Sequence, residues 1–320
     1  MKSRSLLLYV PGVPLLMESL LPQRPLAALA ASLLDAGHET RILDYGTLPA
    51  MERLLGPGRS EGASAGCSGG RWLSRLRTPW RTAGFQNRLH RFYQEVLQAV
   101  TADPDLDFVV FLVNTRDDLR DATQVALRLR ELRPRLHRLA VGPYIERCAP
   151  LVLAASNAFD AAIIEDPERI LPLLADLIHR PDQWPGIQAL HYRLGGELLA
   201  TGRAQPAPIE SLPLPRYDAS LYPAMHHPGK LRLFCVEHSR GALEGQGDRS
   251  AWRVRMKPSA TLRREIGGLL DLFPASVFHL EGPETSGLQM AHFAGEIRPS
   301  SDRASGPIRT ASSPSSVCRF

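Results

Sequence analysis

Two runs near the N-terminus, Ser5–Gly12 (SLLLYVPG) and Pro25–Asp44 (PLAALAASLLDAGHETRILD), together spell a β–α–β unit. The first is a short apolar run stopped by Pro11 and Gly12, the pattern of a strand buried on both faces. In the second, Leu26, Leu29, Ala30, Leu33 and Leu34 recur at i, i+3, i+4, i+7 and i+8. That spacing makes one apolar helical face, with Pro25 tolerated in the first turn and Gly37 as the stop. His38–Asp44 then has the composition of a second strand. Strands joined through a helix and so short a turn run parallel.

The same alternation continues outward. A loop rich in Gly, Ser and Pro (56–70) precedes a helix over Ala83–Val100, with Phe85, Leu89, Phe92, Tyr93, Val96, Leu97 and Val100 on one face. Asp107–Val113 is almost wholly apolar, as a central parallel strand should be. A helix over Asp118–Arg133 places Leu119, Ala122, Ala126 and Leu129 inward. Leu139–Val141 is a short strand, Ile145–Leu153 a short helix and Ala161–Glu165 a fifth strand. Asp166 or Pro167 opens a helix carrying Ile170, Leu171, Leu174 and Ile178. Alternating strands and helices predict a Rossmann-like, doubly wound parallel α/β domain over residues 1–180, whose ligands bind beyond the carboxyl ends of the strands. The loops to watch are Pro11–Pro14, Asp44–Thr47, Asn114–Asp117, Gly142–Tyr144 and Glu165–Glu168.

Residues 181–230 read as a hairpin turning at Gly195-Gly196, then a proline-rich linker without a period. Over 231–297 come an apolar strand (Leu231–Val236), a glycine-rich loop, a helix (Pro258–Phe273), a strand (Ser276–Leu280) and a last amphipathic helix (Leu288–Ile297). The Ser-, Pro- and Arg-rich residues 298–320 have the composition of a disordered tail.

Composition narrows the class. Over 320 residues the hydrophobic share is 44% and the charged share 22%, as in ordinary globular chains. The net charge of +5 comes from scattered arginines, without the basic stripe or aromatic platform of a nucleic-acid binder. Cys67, Cys148, Cys235 and Cys318 form no C-x2-C pair, which argues against zinc or a disulfide framework and fits a reducing compartment. The first apolar run is too short for a signal segment, and no run approaches the ~20 apolar residues of a membrane span. The expected location is the cytoplasm.

In their order, these passages resemble the cobalamin-binding branch of the radical S-adenosylmethionine superfamily. LAALAASLLDAGHETRILDYG (26–46) is similar to the family's helix–turn–strand, and FVVFLVNT (108–115) and LAVGPY (139–144) to its third and fourth strand ends. AAIIEDPERILPLLADL (161–177) stands where the family has a strand, G-E-G-E and a helix. PGIQALHYRLGGEL (185–198) and PIESLPLPRYD (208–218) are similar to its connecting hairpin and linker. VEHSRG (236–241) resembles the start of the barrel, and RVRMKPSATLRREIGGLLDLFPASVFHLEGPETSG (253–287) its first helix and second strand.

The resemblance implies a cobalamin at the strand ends, held by Pro11, Gly12, Asn114, Thr115, Gly142, Pro143, Tyr144, Glu165 and Glu168, with S-adenosylmethionine as a second ligand. It also exposes departures. The family's C-x3-C-x2-C loop holds a [4Fe–4S] cluster, and its three positions fall on Ala242, Gln246 and Arg249. None of these supplies a thiolate, so no cluster is expected. Only two of about six strand–helix units are present, a partial (β/α) barrel. The G-E-G-E turn has become Glu165-Asp166-Pro167-Glu168.

Other chemistry reads as ordinary. Gly241, Gly245 and Gly247 lack the ending of a phosphate loop. His226-His227 and the Glu281/Glu284 pair lack the geometry of metal ligands, and His38 suits a helix end better than cobalt. No metal-ligand set is expected. The functions in view are a corrinoid-binding protein without radical chemistry, a non-catalytic module docking on a full-length paralogue or on itself through the open barrel, and a cluster-independent cobalamin-dependent methyltransferase. A plain Rossmann-like domain with another ligand and a frameshifted C-terminal stretch are further alternatives.

Overall fold

A computed structural model describes residues 2–13, 16–55, 83–226, 229–241, 255–274 and 276–282. It divides into two compact units, Met1–Pro206 with Pro215–Lys230, and Ala207–Leu214 with Leu231–Phe320.

The first unit is built on β1 (Arg4–Tyr9), α1 (Arg24–Asp35), β2 (Glu39–Asp44), α2 (Leu48–Leu55), α3 (Ala83–Thr101), β3 (Phe108–Leu112), α4 (Arg116–Leu132), β4 (His137–Val141), α5 (Pro143–Ala155), β5 (Ala161–Ile163), α6 (Pro167–Asp176), β6 (Leu190–Leu194) and β7 (Glu197–Ala200). The sheet order is β2-β1-β3-β4-β5-β6-β7. β1 to β5 pair in parallel, and the β6–β7 hairpin continues the sheet antiparallel to β5. All five residues of β3 are buried, the place the sequence gives to its most apolar run. One face of the sheet (Leu6, Leu8, Val109, Phe111, Ala140) packs on α3, α4 and α5 through Phe92, Val96, Val125, Leu129 and Leu153. α1 packs beside α6. Gly195 and Gly196 turn the hairpin with φ of 60° and 92°, values that glycine adopts without strain.

Several expected boundaries shift, each for a local reason. α4 begins at Arg116, two residues before the expected start, because Thr115 and Asp118 close a capping box ahead of it. Pro143 and Tyr144, expected in a loop, form the first turn of α5, since proline is pre-organised for that position. α6 opens at Pro167, as expected, with Glu168 in its first turn, and β5 stops at Ile163, short of the expected Glu165. The sequence reading left 48–55 in no element; it is helix α2.

The linker is not loose. Tyr217, Leu221, Tyr222 and Met225 are buried, and the Leu221 carbonyl accepts the Ile42 amide at 2.9 Å while the Gly229 carbonyl accepts that of Leu48 at 2.8 Å. Residues 215–226 and 229–230 thus form a strap along β2, covering backbone groups that an open sheet edge would expose.

In the second unit, β8 (Leu233–Glu237) and β11 (Val277–Glu281) pair in parallel, with α7 (Ser259–Leu272) between them in sequence. β9 (Ser239–Arg240) pairs antiparallel with β10 (Arg255–Met256). Phe234 lies 5.2 Å from Phe273 and 6.1 Å from Phe278, and Lys257 meets Glu265 at 2.6 Å with both side chains 3% exposed. Among the described residues there is no closed barrel. The 56–70 loop, positions 242, 246 and 249, Gly245, Gly247, His227, Glu284, the 288–297 helix and the 298–320 tail lie outside the described residues. No described helix is long and apolar enough to cross a membrane.

Gly142 is required rather than convenient. Its φ is +117°, and a Cβ there would lie 2.5 Å from the Val113 carbonyl oxygen. Gly37 has φ +85° but nothing within 4 Å of a Cβ. Gly142→Ala is therefore expected to cost roughly 1–3 kcal/mol and Gly37→Ala only about 1 kcal/mol, compared by urea midpoints.

Candidate functional site

With β1 central and β2 and β3 on either side of it, the chain leaves β1 at a topological switch point, where open α/β sheets bind ligands. The backbone there is already engaged. The Gly12 amide donates to one Asp118 carboxylate oxygen at 2.7 Å, and the amides of Asn114 and Thr115 donate to the other at 3.1 and 3.0 Å. The Asp118 amide returns a bond to the Thr115 hydroxyl at 3.1 Å. One turn on, Asp121 accepts the Val13 amide at 2.8 Å, the Tyr93 hydroxyl at 2.9 Å and the Arg120 guanidinium at 2.8 Å. A Cβ on Gly12 would meet the Asp117–Asp118 backbone at 2.4 Å, so only glycine lets the β1 loop reach its anchor. Burial pushes the Asp118 carboxyl above its usual range, and the three backbone donors pull it back. Burial, then the Asp121 charge, raises the Tyr93 hydroxyl. A groove of about 420 Å³ beside this stitch is lined by Val13, Leu89, Tyr93, Arg120 and Gln124.

The ends of β1 and β2 are filled by protein. Asp44 and Lys230 meet at 2.7 Å with side chains 0% and 1% exposed. The Lys230 ammonium also donates to the carbonyls of Ser19 and Leu21 at 2.8 and 3.0 Å, so its three protons all have acceptors. The Tyr222 hydroxyl donates to Asp44 and accepts the Gln23 amide. The Tyr9 hydroxyl reaches Ser19 at 3.2 Å. Burial raises the Asp44 carboxyl and lowers the Lys230 ammonium, and their contact opposes both shifts. Asn114 joins this layer by donating its side-chain amide to Gln23 Oε1 at 3.1 Å.

The ends of β3, β4 and β5 are more open. Asn114, Thr115 and Tyr144 are half-buried and Pro143 is exposed, over a buried Gly142. The Tyr144 amide donates to the Val113 carbonyl at 3.3 Å. Glu165, also half-buried, accepts the Ala204 amide at 2.9 Å and lies 3.5 Å from the Arg203 guanidinium. Glu168 is buried and Asp166 holds φ 35°. The structure thus draws Gly12, Asn114 and Thr115 onto one carboxylate and sets Gly142 and Tyr144 against Val113. Pro11 is buried beside Gly12, and Glu165 and Glu168 stand at the next strand end. His38 lies at the other end of the sheet, with its Nδ1 2.9 Å from the Ser3 hydroxyl, away from any ligand at the carboxyl ends. Among the described residues no group of His, Cys, Asp and Glu could hold a metal ion.

Sequence reasoning missed Asp118, Asp121, Gln23, Tyr222 and Lys230, and reached Asp44 only as the start of a strand-end loop. The Thr115-x-x-Asp118 spacing was a legible capping signal. Lys230 is one of only three lysines among 38 basic residues, a rarity that could have marked it.

By fold, the chain is similar to cobalamin-dependent radical S-adenosylmethionine enzymes. Against the radical S-adenosylmethionine methyltransferase TsrM from Kitasatospora setae with cobalamin and a [4Fe–4S] cluster bound, the TM-score is 0.59 at 15% identity, covering 92% of this chain and 52% of that one. TsrM with its tryptophan substrate and a SAM analogue gives 0.57 at 16% identity, covering 92% and 50%. The cobalamin-dependent S-adenosylmethionine radical enzyme OxsB, with aqua-cobalamin and S-adenosylmethionine, gives 0.58 at 10% identity, covering 92% and 36%. The chain therefore spans about half of TsrM and about a third of OxsB. No protein-family profile matches the sequence, and no curated protein matches it.

Removing one member of a buried ion pair strands the other. Lys230→Met is expected to destabilise the protein by about 3–5 kcal/mol, and Lys230→Met with Asp44→Leu to recover most of it, measured by denaturant unfolding.

Proposed function

We propose that the first unit binds a corrinoid across the carboxyl ends of β3, β4 and β5. The observation that carries this is the division of the strand-end face: packed shut over β1 and β2, and partly exposed and polar over β3 to β5. The order β2-β1-β3-β4-β5 and the likeness to enzymes whose structures contain cobalamin support it. The residues suit such a ligand. Gly142 gives a low floor, and the half-buried Asn114, Tyr144 and Glu165 supply a carboxamide, a hydroxyl and a carboxylate, groups suited to a macrocycle's peripheral amides. A bound corrinoid would supply a cobalt centre able to carry a methyl group. The chain's part is to hold the ring flat and exclude water from one face.

Radical cleavage of S-adenosylmethionine is not part of the proposal, because Ala242, Gln246 and Arg249 offer no thiolates. Binding of S-adenosylmethionine without a cluster stays within it, as a cluster-independent methyltransferase would need, and calorimetric titration reads it directly. A second reading, an accessory module for a full-length paralogue or a second copy, is favoured by β8 and β11. Among the described residues they pair only with each other, and a sheet edge is where another chain can add a strand. Val277 on β11 is 60% exposed.

Purified protein mixed with hydroxocobalamin is expected to carry corrinoid absorbance through gel filtration. Asn114→Ala combined with Tyr144→Phe is expected to weaken retention about tenfold, as the loss of two hydrogen bonds implies. Folded protein that retains no corrinoid would overturn the proposal. In sedimentation velocity, the accessory reading expects a concentration-dependent dimer, and a monomer at every concentration would count against it.

A further inference from the structure

Three backbone amides from two separate loops, those of Gly12, Asn114 and Thr115, converge on one point in the β1–β3 crevice. Amides converging at a helix start beside a switch point form the usual cradle for a ligand phosphate in open α/β sheets. Here an anion already occupies the cradle, and it belongs to the chain.

We infer that Asp118 is a specificity residue: its carboxylate plugs the anion cradle and bars phosphate-bearing ligands, nucleoside phosphates among them, from the switch point. Both carboxylate oxygens are used and the residue is 2% exposed, so an incoming phosphate finds these three amides taken. The plug is tethered three residues from the amide it satisfies, which gives it a high effective concentration against any solute. The loop cannot swing aside cheaply, because Asp121 holds the Val13 amide and Gly12 lies against the Asp117–Asp118 backbone. Two of the nearby cations are already committed. Arg120 is bound to Asp117 and Asp121, and Lys230 to Asp44. A dianion arriving here would meet Asp118, Asp117 and Asp121 with their counter-charges already engaged. The inference goes beyond the corrinoid proposal and does not depend on it.

The test is titration of inorganic phosphate into the full chain labelled with nitrogen-15, following the amide signals of Gly12, Asn114 and Thr115. In the unaltered protein these signals should not move saturably at tens of millimolar phosphate. In Asp118→Ser all three should shift together and saturate, and the melting temperature should rise with phosphate but not with chloride at equal ionic strength. Asp118→Asn keeps the shape of the plug while removing its charge, and should show the same phosphate-specific rise to a smaller degree. A Ser variant that folds only in phosphate supports the inference. Saturable shifts in the unaltered protein overturn it. So does a folded Ser variant indifferent to phosphate or, where Ser does not fold in either salt, an Asn variant whose melting does not distinguish phosphate from chloride. Corrinoid co-elution is read by absorbance on the unaltered protein and the phosphate response on Asp118 variants, so failure of either experiment leaves the other standing.

Discussion

A carboxylate taken wholly out of water needs a partner, and Asp44 at the end of β2 imposes that requirement on the first unit. Lys230 meets it from the far end of a long linker, so the chain must come back to the β2 edge of the sheet before it reaches β8. The strap follows from this. Its carbonyls cap amides along β2 and at the start of α2, and its tyrosine closes over Asp44. The pair's net contribution to stability is small or even unfavourable against a well-packed apolar pair. Its effect is on specificity, because it fixes which strand edge the linker covers.

The same constraint divides the strand ends. Over β1 and β2, polar side chains are matched to one another: Lys230 to Asp44 and two carbonyls, Tyr222 to Asp44 and Gln23, Gln23 to Asn114. Over β3 to β5 the side chains keep surface toward solvent. The distribution of satisfied hydrogen bonds, more than any single residue, defines the available face.

Most of the parallel sheet was legible in the sequence, since Phe108–Val113 and the Leu26–Leu34 face carry strong periodic signals that tertiary packing reinforces. The boundaries were harder. Proline at the start of α5, and the Thr115–Asp118 box at the start of α4, move helices to earlier starts than the apolar pattern indicates. The strap reads in sequence only as an extended, proline-rich linker, because Leu221 and Tyr222 meet partners far away in the chain, Ile42, Gln23 and Asp44. No local period records such contacts. The Asp44–Lys230 pair was invisible for the same reason, and Asp118 looked like one more helix-opening acid until the β1 loop was seen resting on it.

Lysine is scarce in this arginine-rich chain: Lys2, Lys230 and Lys257 are the whole supply. Lys230 is 8% exposed and Lys257 3%, each in a buried ion pair, while Lys2 is exposed. Amine-directed reagents and lysine-specific proteases therefore find two of the three lysines closed. One of the closed pair reports on the strap and the other on the α7 packing, so each unit carries its own built-in gauge of local opening.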